Sequence, residues 1–354
     1  MEFVGDWETA TALGIYTKLP RPADWDDSPQ DSNNPLHKYM KELAWVILSC
    51  NVPKICAKLA TIPKTASYLS SLCVKLIIKL SLTEVLTYME INMKDILWVS
   101  FGPKLIPTKA SAAFNRIDIL EWWRTSPTFL AKDYNSEALD GASKAGFVDV
   151  LEWWRKSGLP LKFTESALEK SSAKGHIHIL EWWKEASHYS ASSDTDLNHQ
   201  SDNDTNLPVS SKSHPGFHLK VGKSICAAAM HGQAAVIQWF EDSGIPYLHS
   251  ESVVKLASAY GHVNVLEVWK SLKDEKMVFD NQVLVSATKN GHVDVLEWWK
   301  RSGLKVEYKT CDIEEALEDS VGGEVAKQNV KKWWARNGLN LGIQTSEWMK
   351  TKIL

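Results

Sequence analysis

Three histidines follow a glycine at matching points of the chain, His176, His262 and His292, and recurring imidazoles invite a metal reading. Zinc gathers its ligands about one point, each about 2.1 Å away. Histidines in equivalent slots of successive repeats instead sit a helix-packing distance apart, on the order of 10 Å. His176 and His178 form an H-x-H pair, but no cluster of Cys, Asp or Glu accompanies them. These side chains are therefore expected to bond backbone at turns. Glu152, Glu181 and Glu297 each stand beside a tryptophan pair, where a carboxylate could act as a general acid. All three fall on a polar helical arc and read as solvated charges. The chain holds no phosphate-cradling GxxxxGK[ST], no dinucleotide glycine string and no nucleophile elbow. The sequon at Asn203 needs a secretory route, and the serines around it suit phosphorylation. No catalytic residue, cofactor or metal ligand is expected, and the chain reads as a non-enzyme.

The elements that carry these residues repeat. "GFVDVLEWWRKSGL" returns as "GHIHILEWWKEAS" and "GHVDVLEWWKRSGL". A marker placed on the leucine position of each LEWW-like string gives Leu120, Leu151, Leu180, Ile237, Leu266, Leu296 and the weaker Lys331. The spacings are 31, 29, 57, 29, 30 and 35, a period near 30 with one insertion. Each unit splits at a glycine into two helical halves, since glycine readily takes the left-handed conformation that ends a helix. Asp149 and Asp294 fall in the first turn of the second half, where the helix dipole favours a carboxylate.

On a helical projection Phe147, Val150, Leu151, Trp153 and Trp154 share one apolar arc, while Asp149, Glu152, Arg155 and Lys156 take most of the rest. A two-helix unit cannot bury so wide a stripe alone, but stacked copies cover one another's flanks. Burying one tryptophan contributes about 4–6 kcal/mol before entropy. Twelve of the 17 tryptophans occupy these slots and form the expected structural seam: Trp122, Trp123, Trp153, Trp154, Trp182, Trp183, Trp239, Trp269, Trp298, Trp299, Trp333 and Trp334.

Composition agrees with a chain able to bury a large core, being 44% hydrophobic and 23% charged, with a net charge of −3 that exerts no general pull on nucleic acid. The acidic start "MEFVGDWETA" is unlike a signal peptide, and no apolar run spans a membrane. Five cysteines without a CxxC pair suit reduced thiols in a cytoplasmic or nuclear protein. The domain reading is a polar tail over 1–35, a helical cap or degenerate repeats over 36–107, repeats over 108–186, a disordered Ser/Asp/Asn-rich insertion over 187–217, and repeats with a C-terminal cap over 218–354. In the worn first third Cys56 and Leu86 take the marker slot. At the other end "TSEWMKTKIL" reads as the first helix of a further unit.

The strings "EALDGASKAGFVDVLEWWRKSGL", "SALEKSSAKGHIHILEWWKEAS", "KSICAAAMHGQAAVIQWFEDSGI", "SVVKLASAYGHVNVLEVWKSL" and "QVLVSATKNGHVDVLEWWKRSGL" resemble divergent ankyrin repeats. Small first-helix residues match at Ala142, Ser171, Ala228, Ala257 and Ala287, the turn glycine at Gly146, Gly175, Gly232, Gly261 and Gly291, and a second glycine at Gly158, Gly244, Gly303 and Gly338. The Thr-Pro start is missing, Trp-Trp replaces the leucine triplet, and the period is shorter than in the family. The resemblance implies an all-α helix-turn-helix solenoid; the shorter period makes the inter-repeat loops short, with little or no β structure expected, and puts a projecting hairpin finger in doubt.

It also implies a non-enzymatic scaffold that binds proteins through first-helix ends and inter-repeat loops. Those positions are Tyr134, Lys144, Phe163, Lys174, His231, Tyr260, Lys289 and Asn290. Protein partners are expected, nucleic acid and membrane are not, and the chain is expected to be monomeric. The alternative is a substrate adaptor for a larger complex, such as a ubiquitin ligase, engaged through the N-terminal third.

Overall fold

The computed structural model describes residues 35–192, 218–339 and 349–354. The N-terminal tail and most of the Ser/Asp/Asn-rich run lie outside them. The chain is mostly helical, and the described residues form two compact units, one ending at Phe163 and the other beginning at Thr164. The division thus falls inside the repeated region, not at the Ser/Asp/Asn-rich run.

In the first unit α1 (Pro35–Leu48) pairs with α2 (Val52–Ala60), and α3 (Ser71–Lys79) with α4 (Thr83–Asn92). An additional helix, α5 (Lys94–Phe101), packs on α3 and α4. Next, α6 (Leu105–Lys109), prolonged by a π turn over Ala110–Phe114, pairs with α7 (Ile117–Thr125), and α8 (Glu137–Ala145) with α9 (Val148–Lys156). The leading helices α1, α3, α6 and α8 pack in succession, and so do the following helices α2, α4, α7 and α9. Leu59 and Met89, three residues after Cys56 and Leu86, are fully buried, as is Trp123 three after Leu120.

The second unit holds α10 (Ser166–Lys174), α11 (Ile177–Ser192), α12 (Ser224–Met230), α13 (Ala234–Ser243), α14 (Val253–Tyr260), α15 (Val263–Lys273), α16 (Gln282–Asn290), α17 (Val293–Arg301), β1 (Glu307–Lys309), α18 (Thr310–Glu318), α19 (Glu324–Arg336) and β2 (Thr351–Ile353). Here α10, α12, α14, α16 and α18 pack in one row, and α11, α13, α15, α17 and α19 in another.

A helix pair turns where a left-handed glycine caps the leading helix. At Gly146, φ 80°, the amide of Phe147 donates to Ala142 O at 3.0 Å and that of Gly146 to Ser143 O at 3.2 Å, closing orphan carbonyls in a Schellman motif. Ser81 and Asn115 adopt the same positive φ at the corners before α4 and α7.

Two sequence expectations need correction. Helix α11 runs on to Ser192, past the predicted start of the insertion, because Lys184, Glu185 and Ala186 are good helix formers. The end of "TSEWMKTKIL" is not helical. Thr351–Ile353 pairs antiparallel with Glu307–Lys309, Glu307 opposite Ile353, and the β-branched Thr351 and Ile353 favour this state. This two-stranded ladder is the β structure of the described residues, and residues 158–165 carry no strand.

Candidate functional site

The two tryptophans of each pair do different jobs. The second points into the junction with the preceding helix pair of the same compact unit at Trp123, Trp154, Trp299 and Trp334, which are fully buried, as is Trp183. A buried indole N–H needs an acceptor. Trp154 Nε1 donates to Ser111 Oγ at 2.9 Å, Trp299 Nε1 to Ser258 Oγ at 3.1 Å, and Trp334 Nε1 to Thr288 Oγ1 at 3.0 Å. Ser258 and Thr288 stand three residues before the turn glycine of the preceding pair; Ser111 stands four before Asn115, the π turn adding one residue.

Three junctions break this match: at one, Ala229 stands three residues before Gly232 and offers Trp269 no hydroxyl, and the other two differ in opposite directions. Trp123 keeps its N–H, but the equivalent position of α3 is Ile78, and Trp123 Nε1 is buried without a partner. Ser172 keeps the hydroxyl, but the next pair carries Phe240 in the tryptophan's place, and Ser172 Oγ is buried without a partner.

The first tryptophan lies nearer the surface and reaches the residue that follows the marker in the preceding pair. Trp153 Nε1 donates to Glu121 Oε2 at 3.1 Å and Trp333 Nε1 to Glu297 Oε2 at 2.9 Å, while Trp239 Nε1 donates to Glu181 and Trp122 Nε1 to Thr87 Oγ1 at 3.0 Å. The reading of Glu181 and Glu297 as merely solvated charges is therefore corrected. The polar arc of one helix is the acceptor row for the next. Bonding from Trp333, ahead of the pull of Arg301, holds the Glu297 carboxyl below its ordinary value, and Arg124 and then Trp153 do the same for Glu121.

The repeated Gly-His string has its explanation at the same junctions. His262 Nε2 lies 2.9 Å from Met230 O, and His292 Nε2 3.0 Å from Ala259 O, each carbonyl two residues before the preceding turn glycine. Facing a carbonyl, each Nε2 carries the proton. A Cβ on Gly232 or Gly261 would come within 2.7 Å of the imidazole Nδ1, so these turns need glycine for the close approach as well as for positive φ. Gln233 takes the place of histidine in one pair and donates to Ala173 O at 3.3 Å. Burial pushes the His292 pKa down, partly opposed by its bond to Ala259. Among the described residues, no three His, Cys, Asp or Glu side chains are grouped to hold a metal ion, and no helix is long and apolar enough to cross a membrane.

The residues assigned to recognition divide. Lys144, Lys174, His231 and Tyr260 are exposed at the ends of α8, α10, α12 and α14, one or two residues before the turn glycine. Lys289 and Asn290 are half-buried at the end of α16; Lys289 Nζ lies 3.1 Å from Asp319 Oδ2, and Asn290 Nδ2 donates to Ser286 O. Tyr134 and Phe163 are instead buried, at 3% and 7% exposure. The Tyr134 ring packs 4.6 Å from that of Trp154, its hydroxyl donates to Pro160 O, and burial pushes its pKa up to about 12. Phe279 and Tyr308 pack likewise on Trp299 and Trp334, at 5.0 and 5.1 Å. An aromatic ahead of the leading helix in these pairs, in a loop at Tyr134 and Phe279 and in β1 at Tyr308, thus wedges the second tryptophan of its own pair. The signal for it in the sequence is the shared offset of twenty residues in Tyr134/Trp154 and Phe279/Trp299.

No family model and no curated protein matches this chain. Its capacities rest on the geometry of its own residues. The seam uses its polar groups between neighbouring pairs, whereas the leading-helix ends direct charged and aromatic side chains to solvent.

Proposed function

We propose that the chain is a protein-interaction scaffold whose two-helix units are ankyrin-like and stack as a helical solenoid within each compact unit, acting as a monomer in the cytoplasm or nucleus. The observation that carries this reading is the recurrence of exposed Lys144, Lys174, His231 and Tyr260 one or two residues before the turn glycine of successive leading helices, over a seam whose indoles are largely bonded to neighbouring pairs. Exposed side chains that recur at the ends of successive leading helices are suited to contact an extended partner. Substituting them should change binding and spare stability.

The test is cross-linking of the full chain in cell extract, wild type against a Lys144→Glu, Lys174→Glu, Tyr260→Ala variant with an unchanged thermal melt. A partner recovered by the wild type and lost by the variant supports the scaffold. Identical partner sets would rule out this surface.

A second reading, an adaptor engaging a larger complex through its N-terminal third, is favoured by Ile91, Trp98 and Val99, which are 75%, 45% and 58% exposed. Exposed apolar groups close in sequence suit a protein contact. Loss of ligase subunits from the recovered set on Ile91→Asp with Val99→Asp, and not on the Lys144 variant, would favour it; their absence from both sets would remove it.

A further inference from the structure

The bond between the first tryptophan and the preceding glutamate is missing at one junction. Glu267 follows its marker as Glu121, Glu181 and Glu297 follow theirs, and Trp298 is the tryptophan that should reach it. Among the described residues Trp298 Nε1 donates no hydrogen bond, and the Glu267 carboxylate has neither a hydrogen bond nor an ion pair. Both side chains line an open cleft of about 720 Å³ between α15 and α17. The row of first tryptophans also breaks here, with Val268 in the slot of α15, so Trp298 has only Trp299 as a ring neighbour among the described residues.

The charges of the cleft fix the kind of occupant. Glu267, Asp274, Asp294 and Glu297 face two cations, Lys270 and Arg301. Both cations are committed: Arg301 Nε is 2.6 Å from Glu297 Oε1, and Lys270 Nζ donates to Ser302 O at 2.6 Å. Glu267, Asp274 and Asp294 are left without an ion pair among the described residues. An anion or a nucleic-acid backbone would be repelled. A side chain that offers several N–H donors to carboxylates and a flat cationic face to an indole matches the walls, and arginine has both.

We propose that this cleft receives an arginine side chain of a partner protein, its guanidinium bonding to the Glu267 and Asp294 carboxylates and lying against the Trp298 ring. This rests on the scaffold reading and adds to it a second contact, on the following helices.

The test follows the indole N–H resonance of Trp298 in the nitrogen-15-labelled full chain, assigned by its loss in Trp298→Phe, during titration with acetylated, amidated Gly-Gly-Arg-Gly-Gly. The arginine peptide should shift it saturably, and the same peptide with neutral, isosteric citrulline should not. Glu267→Gln should weaken the arginine peptide by about fivefold, the size of one exposed charge contact, with an unchanged melt. No saturable shift, an equal shift with citrulline, or an affinity untouched by Glu267→Gln would overturn the proposal. If the peptide fails while the Lys144 variant still loses its partner, the cleft falls and the scaffold stands; if the peptide binds and no partner depends on Lys144, the reverse holds.

Discussion

The indole N–H of Trp299 donates to the hydroxyl of Ser258 at 3.1 Å, tying α17 to the leading helix of the preceding pair. The bond is buried and has counterparts at Trp154 and Trp334, so the junction is a polar lock inside an apolar seam. Ser258→Ala leaves the indole donor unsatisfied and should destabilise by about 1–3 kcal/mol. Ser172→Ala should do the opposite, because that hydroxyl is already buried without a partner; stability should stay level or rise by about 1 kcal/mol. Urea unfolding of the two variants checks the signs, and a loss of equal size in both would contradict the pairing.

Two turn glycines with nearly the same φ should respond differently to alanine. A methyl group on Gly261 (φ +81°) would meet the His292 imidazole, whereas one on Gly303 (φ +76°) would meet nothing within 4 Å. Gly303→Ala carries only the left-handed penalty, about 1–2 kcal/mol. Gly261→Ala adds the clash and should lose more. In thermal melts His292→Ala should recover part of the Gly261→Ala deficit and none of the Gly303→Ala deficit.

The lowered pKa of His292 makes stability depend on pH. The unfolded imidazole titrates near its ordinary value of about 6.5, whereas the folded one resists protonation. The unfolded state therefore binds more protons as the pH falls through that value. The contribution of His292 is fully present above it and is lost toward the depressed folded pKa. His292→Gln copies Gln233, keeps a donor for Ala259 O and removes the titration. Urea midpoints between pH 5 and 7 should fall less steeply for this variant than for the wild type.

Sequence and structure agree where the controlling signal is periodic and local. Turn glycines and the apolar stripe of Val150, Leu151 and Trp154 follow from helical geometry, and these apolar residues are buried as that geometry requires. Acceptors are harder to read. Glu121 and Ser258 meet their tryptophans across more than thirty residues, and each looks like an ordinary helix-surface or small helix residue in its own string. The loop aromatics escape for a related reason: Tyr134 sits in a segment without periodicity, and only its contact with Trp154 shows that it faces inward. The strand at Thr351–Ile353 depends on a partner more than forty residues away, which no local pattern supplies.

The paired tryptophans pack and bond between neighbouring helix pairs, whereas the proposed recognition surface lies at the leading-helix ends. Urea unfolding of the full chain carrying Trp154→Ala or Lys144→Glu tests this division most directly. The expected result is a loss of about 3–5 kcal/mol for Trp154→Ala and a change within about 0.5 kcal/mol for Lys144→Glu. Equal losses in the two variants, or an unchanged stability in Trp154→Ala, would contradict it.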